Sequence, residues 1–245
     1  MNIWIAGAST GIGAALAKRY ASDGHTVFAS ARSVDKLQAL ADATTKLPGQ
    51  IEPVPCDVTD NNSVLQAVAT VQAKGVIDLA VLNAGFYEPI ELEQLDLQHF
   101  INTYDVNLTG VVRCFLAILP SMRNSKHGQV AIVSSVSGYT GLPKAAAYGS
   151  SKAALINLAE SLQPECKAAG IDIRLINPGF VKSPLTDKNK FSMPFIIEAE
   201  QAADKIVDGL AGNSFEIHFP KRFTLLLKLC RSLPYSVYLK LSARL

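Results

Sequence analysis

Short apolar runs alternate along the chain with longer amphipathic stretches. Seven of these runs are rich in β-branched or aromatic residues and are mostly bounded by Gly, Pro, Asn or Asp, as buried strands are. They read IWIAG, TVFAS, IEPVP, DLAVLN, QVAIVS, IDIRLIN and SFEIHF. Helical stretches lie between them, for example Gly11 to Ser22 and Asn102 to Met122. This alternation predicts an α/β fold, a parallel sheet of about seven strands with helices on both faces in a three-layer αβα sandwich.

Length and composition predict one domain. Of the 245 residues 49% are apolar, and no repeat or linker interrupts the alternation. The net charge of +2 hides an asymmetry, because six basic residues and no acid follow Pro220, whereas the first 220 residues carry 17 basic and 21 acidic groups. We therefore predict a domain over 1–220 and a basic extension over 221–245, packed on the same domain or on a partner. Any contact with a polyanion or a membrane would involve this extension.

The four cysteines and four histidines are scattered, without the spacing of a metal site or a disulfide framework. We expect no bound metal and no nucleic-acid partner. Cysteines of this kind fit a reducing compartment, and the first apolar segment reads as a core strand rather than a cleavable signal. The sequence therefore predicts a cytoplasmic protein.

A glycine-rich segment, GASTGIG, follows the first predicted strand and opens the first predicted helix. Glycines at such a turn let the backbone approach a pyrophosphate closely, and the helix N-terminus offers free N–H groups to the phosphates. The spacing is G-x-x-x-G-x-G rather than G-x-G-x-x-G, so a plain strand-to-helix turn is the alternative. The predicted phosphate-binding residues are Gly7, Ser9, Thr10, Gly11, Ile12 and Gly13.

The end of the second predicted strand addresses the choice between NAD(H) and NADP(H). A dinucleotide site usually presents an acid to the adenosine ribose about 20 residues beyond the glycines, or a basic residue to a 2′-phosphate. Here VFASAR ends in Ala31 and Arg32, with no carboxylate. A guanidinium can offer several donors to a phosphate, so we expect NADP(H). A surface arginine at a strand end is the alternative.

Several motifs together resemble the classical short-chain dehydrogenases/reductases. They are the glycine spacing, NAG at Asn83 to Gly85, Ser135 with Tyr148 thirteen residues later, Lys152 in YGSSK, and NPGFVKS at 177 to 183. Asn107 matches the fourth member of that family's catalytic set, whereas Ala6 stands where the family usually has Thr. The resemblance implies a Rossmann-like doubly wound sheet of order 3-2-1-4-5-6-7 and hydride transfer between a nicotinamide and an alcohol or carbonyl. It also implies a homodimer or homotetramer formed through the helices carrying Asn107 and Tyr148.

The chemistry of these residues points to the same reaction. A carbonyl that accepts hydride needs a proton donor, which Tyr148 can supply, although the pKa of a free phenol is about 10. We expect the ammonium of Lys152, one helical turn away, to lower that pKa and, as in the family, to reach the nicotinamide ribose. Ser135 would hold the substrate oxygen, and Asn107 would tie a water to the lysine. Each residue alone has an ordinary structural explanation, and the set points to catalysis.

The resemblance implies further cofactor contacts. Asp57 would face the adenine amino group, and Asn83 would brace the sheet behind the adenosine, while an ordinary turn acid is the alternative for Asp57. The nicotinamide side would involve the Val181 backbone and Ser183. The full set at matching positions is Asp57, Val58, Asn83, Ala84, Gly85, Pro178, Gly179, Val181 and Ser183, together with Tyr148 and Lys152.

The loops expected to meet substrate are rich in large apolar side chains. They contain Phe86, Tyr87, Tyr139, Leu142, Phe180, Leu185, Phe191 and Phe195. We therefore hypothesise a hydrophobic carbonyl or alcohol substrate, with the ordinary packing of a lid as the alternative.

The extension after Pro220 is basic and amphipathic. Phe223, Leu226, Leu227 and Cys230 follow helical spacing, and Pro234 should end this helix before a second short segment. It could lie on an anionic membrane surface, but packing over the substrate lid or a neighbouring subunit is the alternative that we favour. Two other functions stay open: a catalytically idle cofactor sensor, and a structural protein associated with membranes.

Overall fold

A computed structural model describes residues 1–189 and 192–242. Seven strands alternate with helices along the chain. The strands are β1 (Asn2–Ala6), β2 (Thr26–Ser30), β3 (Gln50–Pro53), β4 (Leu79–Leu82), β5 (Gln129–Val133), β6 (Asp172–Pro178) and β7 (Glu216–Phe219). The α-helices are α1 (Gly11–Ser22), α2 (Val34–Asp42), α3 (Asn61–Gln72), α4 (Leu97–Tyr104), α5 (Gly110–Ser125), α6 (Ala146–Ala168), α7 (Ala199–Ala211), α8 (Lys221–Arg231) and α9 (Tyr235–Ser242).

All seven strands are parallel, in the order β3-β2-β1-β4-β5-β6-β7. Ile3 pairs with Val27 on one side and with Leu79 on the other, so β1 lies where the chain reverses its direction across the sheet. In a doubly wound sheet, ligands bind at this reversal, outside the carboxyl ends of the strands. The predicted fold class and strand order are confirmed.

Each face of the sheet has its own apolar core. Successive residues of a strand point to opposite faces, so Trp4 packs with α3, α5 and α6, whereas Ile3 and Ile5 pack with α1, α2 and α7. The indole of Trp4 is fully buried and donates to Ser30 Oγ at 2.9 Å, so its N–H is paired within the core. The result is a three-layer sandwich.

The long helix predicted from Asn102 to Met122 starts earlier and is not continuous. It begins with α4 at Leu97, passes through a π-helical turn at Asp105–Thr109 and continues as α5 to Ser125. By length and composition the segment Leu97–Ser125 could span a membrane, a property shared by core helices of globular domains. Here Phe115 and Ile118 belong to the apolar core against the sheet.

The extension forms two helices, α8 and α9, which are separated at Pro234 as the sequence predicts. Thr224 and Leu227 of α8 are buried, and Leu227 joins the core beside α5 and α6. The described part of the extension therefore packs on the same chain, at the carboxyl edge of the sheet.

Candidate active site

The glycine turn after β1 is packed too tightly for any side chain at two positions. Gly7 adopts a φ of 94°, and a Cβ there would lie 2.6 Å from the backbone of Ala84. A Cβ on Gly13 would lie 2.0 Å from the Gly7 carbonyl oxygen, which accepts a hydrogen bond from Asn83 Nδ2 at 2.7 Å. Asn83 thus braces the turn directly, and the N-terminus of α1 faces the crevice between β1 and β4. A dinucleotide pyrophosphate fits this cradle of backbone amides.

The adenosine end of the crevice lies at the ends of β2 and β3. Arg32 is exposed two residues beyond β2. Asp57 Oδ1 accepts from the Thr59 amide at 3.0 Å and the Thr59 hydroxyl at 2.7 Å. Burial opposes ionisation of Asp57, but these bonds and the charges of Arg32 and Arg113 lower its pKa. The hydrogen bonds of Asp57 are therefore those of an acidic residue in a turn. Its ionised carboxylate is also stabilised by the positive charge of Arg32.

Val58 connects the adenosine end to the helix that carries Asn107. Its side chain is buried, and its carbonyl oxygen accepts from Arg113 Nη1 at 3.2 Å. The same Nη1 donates to Asp105 Oδ1 at 2.7 Å, in the π-helical turn. Arg113 therefore fixes the position of the Val58 backbone relative to that turn.

The loop after β6 forms the opposite wall of the crevice. A Cβ on Gly11 would lie 3.1 Å from Ser183 Cβ, so this loop meets the glycine turn. Thr186 Oγ1 donates to the carbonyl oxygens of Val181 and Ser183, both at 2.9 Å. The Gly179 amide donates to Phe219 O at 2.7 Å, which anchors the start of the loop after Pro178 to β7. The predicted nicotinamide residues therefore lie across from the predicted phosphate residues.

The predicted catalytic residues meet where β5 and α6 come together. Lys152 is almost fully buried and donates to the Val133 carbonyl oxygen at 2.9 Å, with its Nζ 5.7 Å from the centroid of the Tyr148 ring. The hydroxyl of Ser135 caps a short 3-10 helix (Val136–Gly138) by accepting from the Ser137 amide at 3.1 Å. Ser135 also lies close enough to the phenol of Tyr148 to oppose the rise of its pKa. A serine, a phenol and an ammonium group thus converge beside the crevice.

Burial shifts the pKa values of both groups in the directions that favour their neutral forms. It raises the pKa of Tyr148 to about 12, with the bond from Ser135 opposing and the neighbouring Tyr87 adding to the shift. It lowers the pKa of Lys152 to about 8. The sequence predicts that Lys152 lowers the pKa of the phenol, and in the protein the net shift is in the opposite direction. Desolvation of the ring is the largest cause of the upward shift in the phenol pKa, and the Lys152 ammonium donates to a backbone carbonyl instead.

Asn107 is fully buried on the π-helical turn between α4 and α5. Its Oδ1 accepts from the Phe86 amide at 2.6 Å, and its Nδ2 donates to the Phe86 carbonyl at 2.9 Å and to Ser151 Oγ at 3.1 Å. The amide side chain is therefore satisfied by the chain itself, and it holds the loop after Gly85 against α6. A Cβ on Gly85 would lie 3.8 Å from both Asn107 Oδ1 and Lys152 Nζ, so the two side chains are close neighbours.

An aromatic residue covers the predicted catalytic tyrosine. The ring of Tyr87 meets the Tyr148 ring edge to face, with centroids 4.9 Å apart. Tyr87 Oη donates to Asn189 Oδ1 at 2.8 Å, and Lys188 Nζ donates to the Tyr87 carbonyl at 2.9 Å. Tyr87 therefore connects the reaction centre to Lys188 and Asn189, in the segment after Ser183.

The other residues expected to meet substrate are placed in different ways. Phe180 stacks on Phe223 of α8 at 5.5 Å, and Phe195 is 53% exposed. Phe86, Leu142 and Leu185 are partly buried at the surface of the crevice, while Phe191 lies outside the described residues. Tyr139 differs from the expectation, because its ring is buried and its hydroxyl donates to Glu216. It is a core residue that supports the loop after Ser135.

Two structural features of the site could not be predicted from sequence patterns. Gly138 touches the backbone of Lys152 so closely that a Cβ would lie 2.7 Å from the Lys152 carbonyl carbon. Glu216 accepts from Tyr139, from Asn177 Nδ2 at 2.8 Å and from Lys228 of α8. Both contacts join segments far apart in the chain, so periodicity and local motifs carry no signal for them.

Comparison with known proteins assigns the family. A family model described as short chain dehydrogenase matches residues 1–193. An uncharacterized oxidoreductase of Myxococcus xanthus is 35% identical over 235 residues, which cover 96% of this chain and 93% of that protein. The 3-oxoacyl-acyl-carrier-protein reductase of Thermotoga maritima is 33% identical, with 75% of each chain covered. An alcohol dehydrogenase of Thermococcus sibiricus, solved with 5-hydroxy-NADP, superposes with a TM-score of 0.81 at 27% identity, covering 89% of this chain and 95% of that one.

The fold and the matches define a nicotinamide-dependent oxidoreductase. The chain belongs to the short-chain dehydrogenase/reductase family. It is an enzyme acting on a CH–OH or C=O group with NAD(P)(H) as cofactor.

Proposed function

We propose that this enzyme is an NADPH-dependent reductase of hydrophobic carbonyl compounds. The observation that carries the cofactor choice is Arg32, an exposed guanidinium just beyond β2 that forms no ion pair with the described residues. An arginine at this place is suited to bind a 2′-phosphate, whereas NAD-dependent sites present a carboxylate there. The related alcohol dehydrogenase of Thermococcus sibiricus, solved with 5-hydroxy-NADP, supports the same choice.

Different residues of the crevice would bind different parts of the cofactor. Backbone amides at the start of α1 would hold the pyrophosphate, and Asp57 and Val58 would border the adenine. The loop from Pro178 to Ser183 would border the nicotinamide, which supplies a hydride when the cofactor is bound. These positions follow the crevice from the end of β2 to the end of β6.

Three side chains would act on the substrate oxygen. Ser135 Oγ would donate a hydrogen bond that fixes the carbonyl in line, and Tyr148 Oη would deliver the proton as negative charge develops on that oxygen. Because the phenol keeps its proton at neutral pH, it is ready to act as an acid. Lys152 would restore the proton from the buried side, and Asn107 would hold the surrounding loop in place.

Aromatic side chains at the mouth of the site support an apolar substrate. Tyr87 lies against Tyr148, and Phe86 precedes it in the same loop. A pocket lined in this way gains affinity from apolar surface removed from water, so small charged keto acids should be poor substrates.

The test is a panel of carbonyl compounds assayed with NADPH and NADH in parallel. We expect turnover of apolar aldehydes or ketones with NADPH, and Tyr148→Phe should reduce kcat by about a thousandfold with little change in cofactor affinity. Turnover confined to charged keto acids would refute the substrate class. A preference for NADH that Arg32→Ala does not alter would refute the cofactor choice.

The quaternary structure and compartment are also proposals. The segment Leu97–Ser125 exposes Leu97, Ile101 and Leu116, three large apolar side chains that a second copy would cover in a homodimer or homotetramer. All four cysteines are free, and Cys56, Cys114 and Cys166 are buried, which suits a reducing cytoplasm. Light scattering of the purified protein would measure the oligomeric state.

A further inference from the structure

The two helices of the C-terminal extension carry an apolar surface that faces away from the protein. We name it the tail face and define it by five side chains, each between 54% and 82% exposed: Leu225, Leu226, Leu229, Tyr235 and Leu239. On α8 the three leucines lie within one arc of the helix, because positions i, i+1 and i+4 are neighbours on one side. Such a concentration within 15 residues is unusual for a surface exposed to water.

The tail face is not needed to hold the helices in place. Other side chains anchor both helices: Phe223 stacks on Phe180, Leu227 enters the core, and the Tyr238 hydroxyl of α9 donates to the Gly141 carbonyl oxygen. The anchoring contacts of α8 and α9 are therefore made by residues outside the tail face.

Cations surround the tail face without acidic neighbours in the extension. Lys221, Arg222, Arg231 and Lys240 are exposed, and no Asp or Glu occurs after Pro220. Lys228 alone among the described basic residues of α8 and α9 forms an ion pair, with Glu216. Apolar side chains interspersed with Lys and Arg are typical of helices that lie in the plane of an anionic bilayer.

The charge pattern distinguishes a membrane from a second copy of this chain. A two-fold contact between tail faces would bring two identical sets of cations together, at a cost in like-charge repulsion. An anionic lipid surface complements both the cations and the leucines. We propose that the tail face docks the enzyme on anionic membrane surfaces.

Docking would also set the direction in which an apolar substrate reaches the site. α8 contacts Phe180 and α9 contacts Gly141, on the two loops that border the reaction centre. This part rests on the proposed function, whereas the docking itself does not depend on it.

The proposal is tested by vesicle sedimentation with the full-length protein, using phosphatidylcholine vesicles with and without 30% phosphatidylglycerol, at low and high salt. We expect binding only to the anionic vesicles and weaker binding at high salt. The triple variant Arg222→Gln, Arg231→Gln, Lys240→Gln should bind about a hundredfold more weakly, because each basic side chain near such a surface contributes roughly fivefold. Leu226→Gln with Leu229→Gln and Leu239→Gln should lose at least about tenfold.

Matched controls change the same residue types elsewhere on the surface. Lys36→Gln, Lys46→Gln and Lys167→Gln together, or Leu65→Gln with Leu92→Gln, should bind as the unchanged protein does. Binding that ignores lipid charge, or tail variants that bind like the controls, would overturn the proposal. The proposal would also be overturned if the unchanged protein bound no lipid and the tail variants had a lower oligomeric mass. The tail face would then join copies of the chain. NADPH oxidation with a water-soluble carbonyl, measured on every variant, separates failed docking from failed catalysis.

Discussion

At the scale of single residues, burial decides the chemistry of the Tyr148–Lys152 pair more than proximity does. The spacing YGSSK predicts that the two side chains meet, and they do, with Nζ 5.7 Å from the ring centroid. The sequence cannot show how much water each group has lost. For this reason the predicted direction of the phenol pKa shift is opposite to the one in the folded protein. For the same reason the sequence places Tyr139 in the substrate opening, whereas its ring is buried.

The buried charge of Lys152 should lower the stability of the fold at neutral pH. Its pKa is lower in the folded protein, about 8, than its ordinary value of 10.5, so the unfolded chain binds the proton more tightly. Stability therefore rises with pH between these two values. Lys152→Met removes the buried charge, and we expect it to raise the free energy of unfolding at pH 7 by about 2 kcal/mol, a gain that shrinks towards pH 10.

Urea unfolding of the two proteins at pH 7 and pH 9.5 measures this difference. Lys167→Met, at an exposed position of the same helix, serves as the control and should change stability by less than about 0.5 kcal/mol. If Lys152→Met were the less stable protein at pH 7, the ammonium would be a net stabiliser, contrary to the prediction.

At the scale of elements, short-range patterns located most helices and strands, and long-range contacts set the rest. The bounds of α1 and the break at Pro234 follow from glycine and proline chemistry, which is local. The π-helical turn at Asp105–Thr109 was not predicted, because a single wide turn hardly disturbs helical periodicity. The connection of β7 to α8 through Glu216 was missed as well, since it depends on tertiary packing.

Glu216 should be the residue through which α8 stabilises the substrate side. Burial opposes its ionisation, but hydrogen bonds from Lys228, Tyr139 and Asn177 lower its pKa below the ordinary 4.5. Its contribution is therefore complete above about pH 4.5 and is lost as the pH falls through the folded pKa. We expect Glu216→Gln to lower the free energy of unfolding at pH 7 by about 2 kcal/mol, with a smaller difference at pH 3.5.

Denaturant titrations at both pH values provide the measurement. The exposed pair of Glu91 and Lys144, with N and O 2.7 Å apart, offers a comparison, and Glu91→Gln should change stability by less than about 1 kcal/mol. Equal losses in the two variants would mean that Glu216 contributes no more than a surface ion pair.

At the scale of the whole molecule, the order of the strands places the candidate site. Residues 7, 83, 135 and 178 are far apart in sequence, yet each follows the carboxyl end of its strand or closes it, and the parallel sheet gathers these ends along one edge. This is why the position of the site could be predicted from the sequence. The shape of the substrate opening could not, because loops from four regions and the extension build it jointly.

Cofactor binding should stabilise the molecule as a whole. A ligand present at 100 times its Kd adds about 2.7 kcal/mol to the free energy of unfolding, if it binds only the folded protein. We expect NADPH under those conditions to raise Tm by about 5–11 °C, and NADH at the same concentration to raise it less. Arg32→Ala should remove the difference between the two cofactors while leaving the shift with NADH, as differential scanning fluorimetry would show.

The contact of Gly138 and Gly149 with backbone has a consequence for protein engineering. The Ser134 hydroxyl donates to the Lys152 carbonyl at 2.7 Å, a Cβ on Gly138 would overlap that carbonyl, and a Cβ on Gly149 would lie 3.1 Å from Ser137 O. Residues 134–138 therefore pack against α6 through close main-chain contacts. A mutagenesis library that varies these residues would yield mostly misfolded proteins. Diversity for new substrates belongs instead at position 142, a partly exposed leucine outside this main-chain contact.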